Sequence, residues 1–437
     1  MIVPQASRLR NVRYDIRGPV LRRARQLEAE GHQILKLNLG NPAPFGLTAP
    51  DAIIRDVVQN IGEAQGYSDA RGIHAGRLAV AQRFERNGVA GVGPDDVYLG
   101  NGVSELIVMA LQALIDAGDE VLVPSPDYPL WTGAINLCGG RAVHYRCDEQ
   151  ENWAPDLEHV AAQITEHTRA LVIINPNNPT GAVYSRETLL GLLDLARRFG
   201  LLVLTDEIYD QIIYEDAVHL PAAALAPDLV VLTLGGLSKT YRLAGFRSGW
   251  LVVSGPKHEA ADYLDGLELL ANMRMCANVP AQYAIQTALG GKQSISGLLE
   301  PGGRLRDQRD HAWRMMTEIP GVDCVKPAGA LYLFPRLNPE VHKIIDDQQM
   351  VIDLLEQQHM LLTHGTGFNL PTTDHLRLVF LAPVATLDDA IGRLSFSRAG
   401  SRGPGPPGPA SRGRSPRCTC GRRCRCRTGC RCSRSRC

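Results

Sequence analysis

The chain predicts an α/β fold: a large unit on a mainly parallel sheet, followed by a smaller α+β unit. Three observations carry this. Between about residues 95 and 255, short apolar runs alternate with loops and helical stretches, the rhythm that lays parallel strands side by side. Several runs, among them Ala170-Leu171-Val172-Ile173-Ile174, are apolar throughout, as strands covered on both faces must be. From about Ile295 the rhythm gives way to a shorter, mixed α+β pattern.

Residues 16–31 read as a helix. Asp15 can cap it, Pro19 suits its first turn, and Val20, Ala24, Leu27 and Ala29 recur at helical spacing. The strand-like Ile34-Leu35-Lys36-Leu37-Asn38-Leu39 then meets the turn Gly40-Asn41-Pro42. Gln65-Gly66-Tyr67-Ser68 precedes a helical stretch from about Ile73 to Asn87, and Tyr67 alone reads as an aromatic packed at a loop. Val97 to Gly100 is a short strand, and Asn101-Gly102-Val103-Ser104-Glu105 opens a helix running to about Ala117. Such a start offers the free N–H groups of Val103 and Ser104, with the helix dipole, to an anion; Ser104 equally suits the N-cap. Glu120 to Val123 is a strand closed by the rigid turn Pro124-Ser125-Pro126-Asp127-Tyr128-Pro129.

The groups with chemical potential fall at the C-terminal ends of strands, where open α/β sheets bind ligands. The run 170–174 ends in Asn175-Pro176-Asn177-Asn178-Pro179-Thr180-Gly181, a turn forced by two prolines and a glycine. Leu201 to Thr205 ends in Asp206-Glu207-Ile208-Tyr209-Asp210. Asp206 there caps a helix or surface turn, or else pairs with a cationic ring nitrogen; Tyr209, three residues on, can face the same way on a helical turn. Leu229 to Leu234 ends in Gly235-Gly236, with Ser238-Lys239 at the mouth of the turn and Arg247 eight residues later. A partly desolvated lysine has a lowered pKa and a free amine that attacks carbonyls, and an arginine fork suits a phosphate. Pro327 to Phe334 and His375 to Phe380 are strand-like, flanking the glycine loop His364 to Phe368, and Arg377 occupies one face of the second.

The 437 residues, 44% apolar, suit two or three globular domains. No apolar run approaches the ~18–20 residues that span a bilayer, and Met1 to Arg10 lacks an apolar signal core, so a cytoplasmic enzyme is expected. The net charge of zero hides a division. From Arg398 onward there are 12 arginines and no acid; subtracting these from the 46 Lys and Arg leaves 34 against 46 Asp and Glu, a body charge of −12. Seven of the 11 cysteines lie at or after Cys418, and the other four are scattered, as reduced thiols are. Residues 398–437 read as a disordered Arg/Cys-rich tail whose composition matches a GC-rich coding end read in a shifted frame. Metal or nucleic-acid binding by the tail is the lesser reading, and no metal site is expected in the body.

Gly235 to Trp250 resembles the cofactor-lysine signature of the class I aminotransferases, which are fold-type I enzymes dependent on pyridoxal 5'-phosphate (PLP). Asn175 to Gly181 resembles the Asn-Pro-x-Asn-Pro-Thr-Gly signature of that family. Gly102, Tyr128, Asn178, Asp206, Lys239 and Arg247 follow one another in the family's order. The resemblance implies the PLP-dependent transferase fold type I, with a seven-stranded, mainly parallel sheet. It implies an N-terminal arm (1–47) packed on the small domain, a large domain (48–294) and a small domain (295–397), and it ends before the tail (398–437). Lys239 then bonds covalently to the cofactor, Asp206 pairs with its pyridine nitrogen, and Asn178 and Tyr209 donate to its phenolic oxygen. Tyr128 stacks on its ring, while Val103, Ser104, Ser238 and Arg247 hold its phosphate. Tyr67 crosses to the phosphate of a partner subunit, implying a homodimer. Tyr14, Gly40, Asn178 and Arg377 contact the substrate, Arg377 gripping its α-carboxylate. Gly236 departs from the pattern, standing where many class I enzymes have a phosphate-binding serine.

The arm Tyr14-Asp15-Ile16-Arg17-Gly18-Pro19, the turn Gly40 to Gly46 and Thr240-Tyr241-Arg242 are most similar to the bacterial glutamate–pyruvate (alanine) aminotransferases. The expected activity is ping-pong transfer of an amino group between an L-amino acid, alanine first, and a 2-oxo acid, 2-oxoglutarate first, with Arg17 a candidate for the side-chain carboxylate of glutamate. Another PLP reaction, such as C–S lysis, uses the same site. A regulator with an aminotransferase-like effector domain needs a helix-turn-helix unit, for which the residues before 40 have no room.

Overall fold

The computed structural model of the chain describes residues 3–12 and 18–396. Tyr14, Asp15, Arg17 and the Arg/Cys-rich tail lie outside the described residues. The expected first helix spans Pro19–Ala29, with Pro19 in its first turn and Val20, Ala24 and Leu27 buried along one stripe. Of the strand-like run that follows, only β1 (Leu35–Lys36) is regular.

One large sheet takes eight strands: β2 (Val97–Gly100), β3 (Glu120–Ser125), β4 (Arg141–Asp148), β5 (Ala154–Pro155), β6 (Thr168–Ile174), β7 (Leu202–Asp206), β8 (Val231–Gly236) and β9 (Gly249–Ser254). Their order is β2-β9-β8-β7-β6-β3-β4-β5. β9 runs antiparallel to both neighbours and β5 antiparallel to β4; the other pairs are parallel. The seven strands expected are joined by β5, a two-residue edge strand too short to leave a sequence signal.

Alternate residues of the central strands feed two different cores. Ala170, Val172 and Ile174 pack with Leu106, Trp131 and Leu267 from helices on one face. Leu171 and Ile173 pack with Val80, Leu192 and Ile285 from helices on the other. Burial on both faces is why these strands read as continuous apolar runs rather than alternating ones. The sheet order reverses between β3 and β6, and the turns after those two strands carry Tyr128 and Asn178. A ligand crevice belongs at such a reversal.

Six short strands follow: β10 (Val322–Asp323), β11 (Tyr332–Leu333), β12 (Arg336–Leu337), β13 (Met360–Leu361), β14 (Thr363–His364) and β15 (Leu376–Val379). β11, β15 and β14 form an antiparallel sheet, β10 pairs with β12, and β1 runs parallel to β13. A third core gathers Val20, Ala24 and Leu27 of the first helix with Leu355, Leu378 and Ile391.

Two local details differ from expectation. Ser104 is not the N-cap of its helix, Val103–Leu114; Gly102 is, at φ 81°, a conformation that favours glycine. No side chain caps this helix; Glu105 in its first turn instead holds the preceding loop, its carboxylate accepting from the backbone N–H and side-chain amide of Asn101 at 2.7 and 2.8 Å. Tyr209 sits in a turn, not a helix, with the Asp210 N–H donating to the Glu207 carbonyl.

Candidate active site

A single cavity opens at the C-terminal ends of the parallel strands. Its walls include Gly40, Val103, Ser104, Tyr128, Asn178, Asp206, Tyr209, Ser238, Lys239, Arg247 and Arg377. Asp206 ends β7 and is 3% exposed. Its carboxylate accepts from the Ile208 N–H at 3.2 Å and the Trp131 indole N–H at 3.4 Å. Burial pushes its pKa up to about 6, against the opposing pull of those two donors and the Lys239 charge. A buried carboxylate held by two long hydrogen bonds is suited to receive a cation from the cavity. Lys239 follows β8, and its Nζ donates to the Gly40 carbonyl at 2.8 Å. The same Nζ lies 5.9 Å from the centre of the Tyr209 ring. Burial keeps the Tyr209 hydroxyl protonated, its pKa well above the ordinary phenol value.

One end of the cavity is built for an anion. The helix starting at Val103 presents its first-turn N–H groups there, the Ser104 and Ser238 residues line the wall, and Arg247 closes it. The Arg247 guanidinium donates to the carbonyls of Ala244 at 3.0 Å and Asn101 at 3.2 Å. Gly102 is required for this arrangement, since a Cβ there would lie 2.3 Å from Arg247 Nη2. The departure at Gly236 also has a physical reason. Gly236 pairs with Gly249 in the sheet, and a Cβ would come within 2.9 Å of the Ser248 carbonyl and 3.0 Å of Gly249 Cα. Strand pairing leaves no room for serine.

The other end is built for a carboxylate. Arg377 comes from β15 and is 1% exposed. Its Nη1 donates to Asn178 Oδ1 at 2.8 Å, and its Nη2 donates to the Asn38 carbonyl. The guanidinium is sandwiched by Tyr332 and Phe368, whose ring centres lie 4.3 and 4.5 Å away. A buried, stacked arginine fork tied to Asn178 matches a planar carboxylate.

Tyr67 is not brought to this cavity by its own chain; it is 79% exposed and lines a separate open depression with Asn101 and Asn278. Tyr14 lies outside the described residues. Three contributors lack an individual signal in the sequence. Trp131 reaches Asp206 from 75 positions away, Tyr332 meets Tyr209 from 123, and Asn38 gives Arg377 a backbone carbonyl. Tyr332 and Asn38 lie within runs that read as strands, which gives neither side chain nor carbonyl a role of its own.

The cavity thus combines an amine, a buried carboxylate beside it, a phosphate-sized anion cradle and a carboxylate-binding arginine. The donor set fits a phosphorylated pyridine at the floor and an amino or oxo acid above it. Residues 32–394 match the family model for aminotransferases of class I and II. Over 391 residues the chain is 60% identical to the alanine aminotransferase of Mycobacterium tuberculosis (strain ATCC 25618 / H37Rv), covering 89% of this chain and 91% of that protein. It is 56% identical over 393 residues to the glutamate-pyruvate aminotransferase AlaA of Escherichia coli (strain K12), covering 90% of this chain and 97% of that one. A crystal structure of an Escherichia coli aminotransferase superposes with a TM-score of 0.91 at 55% identity, covering 92% of this chain and 99% of that chain.

Proposed function

The chain belongs to the class I and II aminotransferases, and from that premise we propose that it binds PLP and transfers an amino group between L-alanine and 2-oxoglutarate. The observation that carries the reading is the meeting of Lys239, buried Asp206 and the Arg247–Gly102 cradle in one cavity with Arg377. The names of its relatives in Mycobacterium tuberculosis and Escherichia coli supply the substrate pair.

In this reading the backbone at Val103 and Ser104, the Ser238 side chain and Arg247 hold the phosphate. Tyr128 covers the ring, and Asp206 faces its nitrogen. PLP, when bound, supplies the electron sink that lets a substrate Cα–H bond ionise. Asp206 keeps that sink charged. A cationic N–H opposite the carboxylate offsets the burial that now raises its pKa, so both groups stay ionised at neutral pH. Asn178 and Tyr209 donate to the phenolic oxygen. Arg377, with Asn178, orients the α-carboxylate, so the Cα–H bond is presented to Lys239. The amine of Lys239, released when the substrate nitrogen takes its place on the cofactor, would take that proton and return it to the cofactor carbon on the other side of that nitrogen; the Gly40 carbonyl is the acceptor within its reach. Gly40 completes the substrate wall. Tyr67, exposed on one chain, reaches the phosphate of the partner in a homodimer. A cytoplasmic location fits these substrates, and no helix among the described residues is long and apolar enough to cross a membrane.

The test is a half-reaction. L-alanine added alone to the PLP-loaded protein is expected to bleach the visible band and release about one pyruvate per site, and 2-oxoglutarate is expected to restore the band. A coloured protein that ignores alanine refutes the substrate assignment. Release of a thiol with pyruvate and ammonia from an S-substituted cysteine, with no 2-oxo acid present, refutes transamination in favour of a C–S lyase.

A further inference from the structure

Tyr332 is assigned no role by the motifs, yet it touches three residues of the site at once. It is 2% exposed and lies on β11, held by antiparallel pairing to Val379 of β15. Its hydroxyl sits 2.5 Å from the Tyr209 hydroxyl, with the two rings edge to face at 5.9 Å between centres. Its ring carries the Arg377 guanidinium 4.3 Å from the centroid. Its hydroxyl also occupies the space beside Gly40, where a Cβ would lie 2.4 Å away. Gly40 is therefore small because Tyr332 is there, and the Gly40 carbonyl is the group that holds Lys239.

Two phenols at this separation share one hydrogen bond, and each has a single proton to give. If Tyr209 donates to Tyr332, it has nothing left for a ligand in the cavity. If Tyr332 donates, Tyr209 accepts and its own proton is free to point inward. The surroundings favour the second arrangement. Arg377 stacks directly on the Tyr332 ring, 4.3 Å from its centroid, so a cation lies against the phenol that donates in that arrangement. Donation to the Tyr209 oxygen in turn strengthens the bond Tyr209 makes onward, by the cooperativity of hydrogen-bond chains in a dry interior. We propose that Tyr332 is a positioning residue that fixes the Tyr209 hydroxyl as a donor into the cavity, linking the carboxylate-binding arginine to the phenolic end of the cofactor site by a second route beside Asn178. The inference rests on the PLP reading above.

The test is spectroscopic and needs no turnover. The visible band of the PLP-loaded protein is titrated with pH, without substrate, in wild type, Tyr332→Phe, Tyr209→Phe and the double variant. Loss of the titrating proton leaves more negative charge at the phenolic oxygen, so a donor there lowers the midpoint and a weakened donor raises it. Tyr332→Phe keeps the ring on Arg377 and removes only the hydroxyl. Its midpoint is expected to rise by roughly half a pH unit, the order of a weakened neutral hydrogen bond. Tyr209→Phe is expected to raise it further, and adding Tyr332→Phe to that background is expected to change nothing. An unmoved midpoint in Tyr332→Phe overturns the proposal, as does an equal shift in the Tyr209→Phe background, which would mean that Tyr332 acts without Tyr209. A wild-type protein that develops no visible band with PLP overturns the cofactor reading itself, and this inference with it.

Discussion

A carboxyl group sealed at the end of a buried strand destabilises a fold unless a cation meets it. Asp206 is such a group, and it yields a pH prediction for the cofactor-free protein. Its folded-state pKa is raised from 3.8 to about 6. Between those values the folded chain holds a proton that the unfolded chain has released, so stability falls as pH rises through the window and the full penalty stands above it. Asp206→Asn removes the charge at nearly constant shape. In thermal melts without PLP, the variant is expected to exceed wild type at pH 7.5 by on the order of 2 kcal/mol and to show no gain near pH 4. Equal melts at both values contradict the buried-charge account. With PLP and substrates present, the ranking in activity is expected to reverse, since the asparagine cannot hold a ring nitrogen protonated. Asp206 was legible in the sequence because an acid directly after an apolar strand breaks a local pattern. Tyr332 was not, because its hydroxyl acquires meaning only from Tyr209, 123 residues away, and no periodicity encodes that meeting.

At the scale of elements, the strand-like run after the first helix matters more than its two regular residues suggest. Its backbone is held from both sides: the Leu37 N–H donates to the Leu361 carbonyl at 3.0 Å, and the Val379 N–H donates to the Leu37 carbonyl at 2.9 Å. That clamp delivers the next carbonyls to the site, Asn38 to Arg377 and Gly40 to Lys239. The Leu37 side chain, fully buried, anchors the segment in the third core. Leu37→Ala is expected to lower stability by about 3 kcal/mol through the cavity it leaves. It is also expected to raise KM for both amino and oxo acids, through the Asn38 carbonyl displaced from Arg377, alongside a lower kcat from the Gly40 carbonyl displaced from Lys239. A melt shifted with unchanged KM separates the two effects and refutes the second. The sequence showed the apolar run and the following Gly40-Asn41-Pro42 turn. It did not show the pairing with β13 and β15, which joins residues more than 300 positions apart and is set by tertiary packing. The same limit explains Ser104: a serine near a helix start reads as a cap, but Gly102 takes the cap position, where the chain turns at φ 81°, a conformation that favours glycine.

For the whole molecule, the distribution of site residues poses a question that one chain answers incompletely. The strand-end groups and Arg377 converge on a single cavity, whereas Tyr67 stands 79% exposed outside it. An exposed tyrosine gains little from its own chain and becomes useful where a second copy offers it a pocket. A hybrid experiment decides this. Lys239→Ala removes the amine but leaves Tyr67 intact; Tyr67→Ala removes the phenol but leaves Lys239. If Tyr67 serves the partner's site, each variant alone has only defective sites, whereas a hybrid dimer contains one site with Lys239 from one chain and Tyr67 from the other. Random reassortment makes about half the dimers hybrid, each with one restored site in two, so about a quarter of wild-type sites return. The mixture is expected to show that recovery in alanine–2-oxoglutarate turnover, after the dimers are dissociated and reassociated together. If Tyr67 acts within its own chain, every chain in the mixture carries its own lesion, and the activity stays at the average of the two parents.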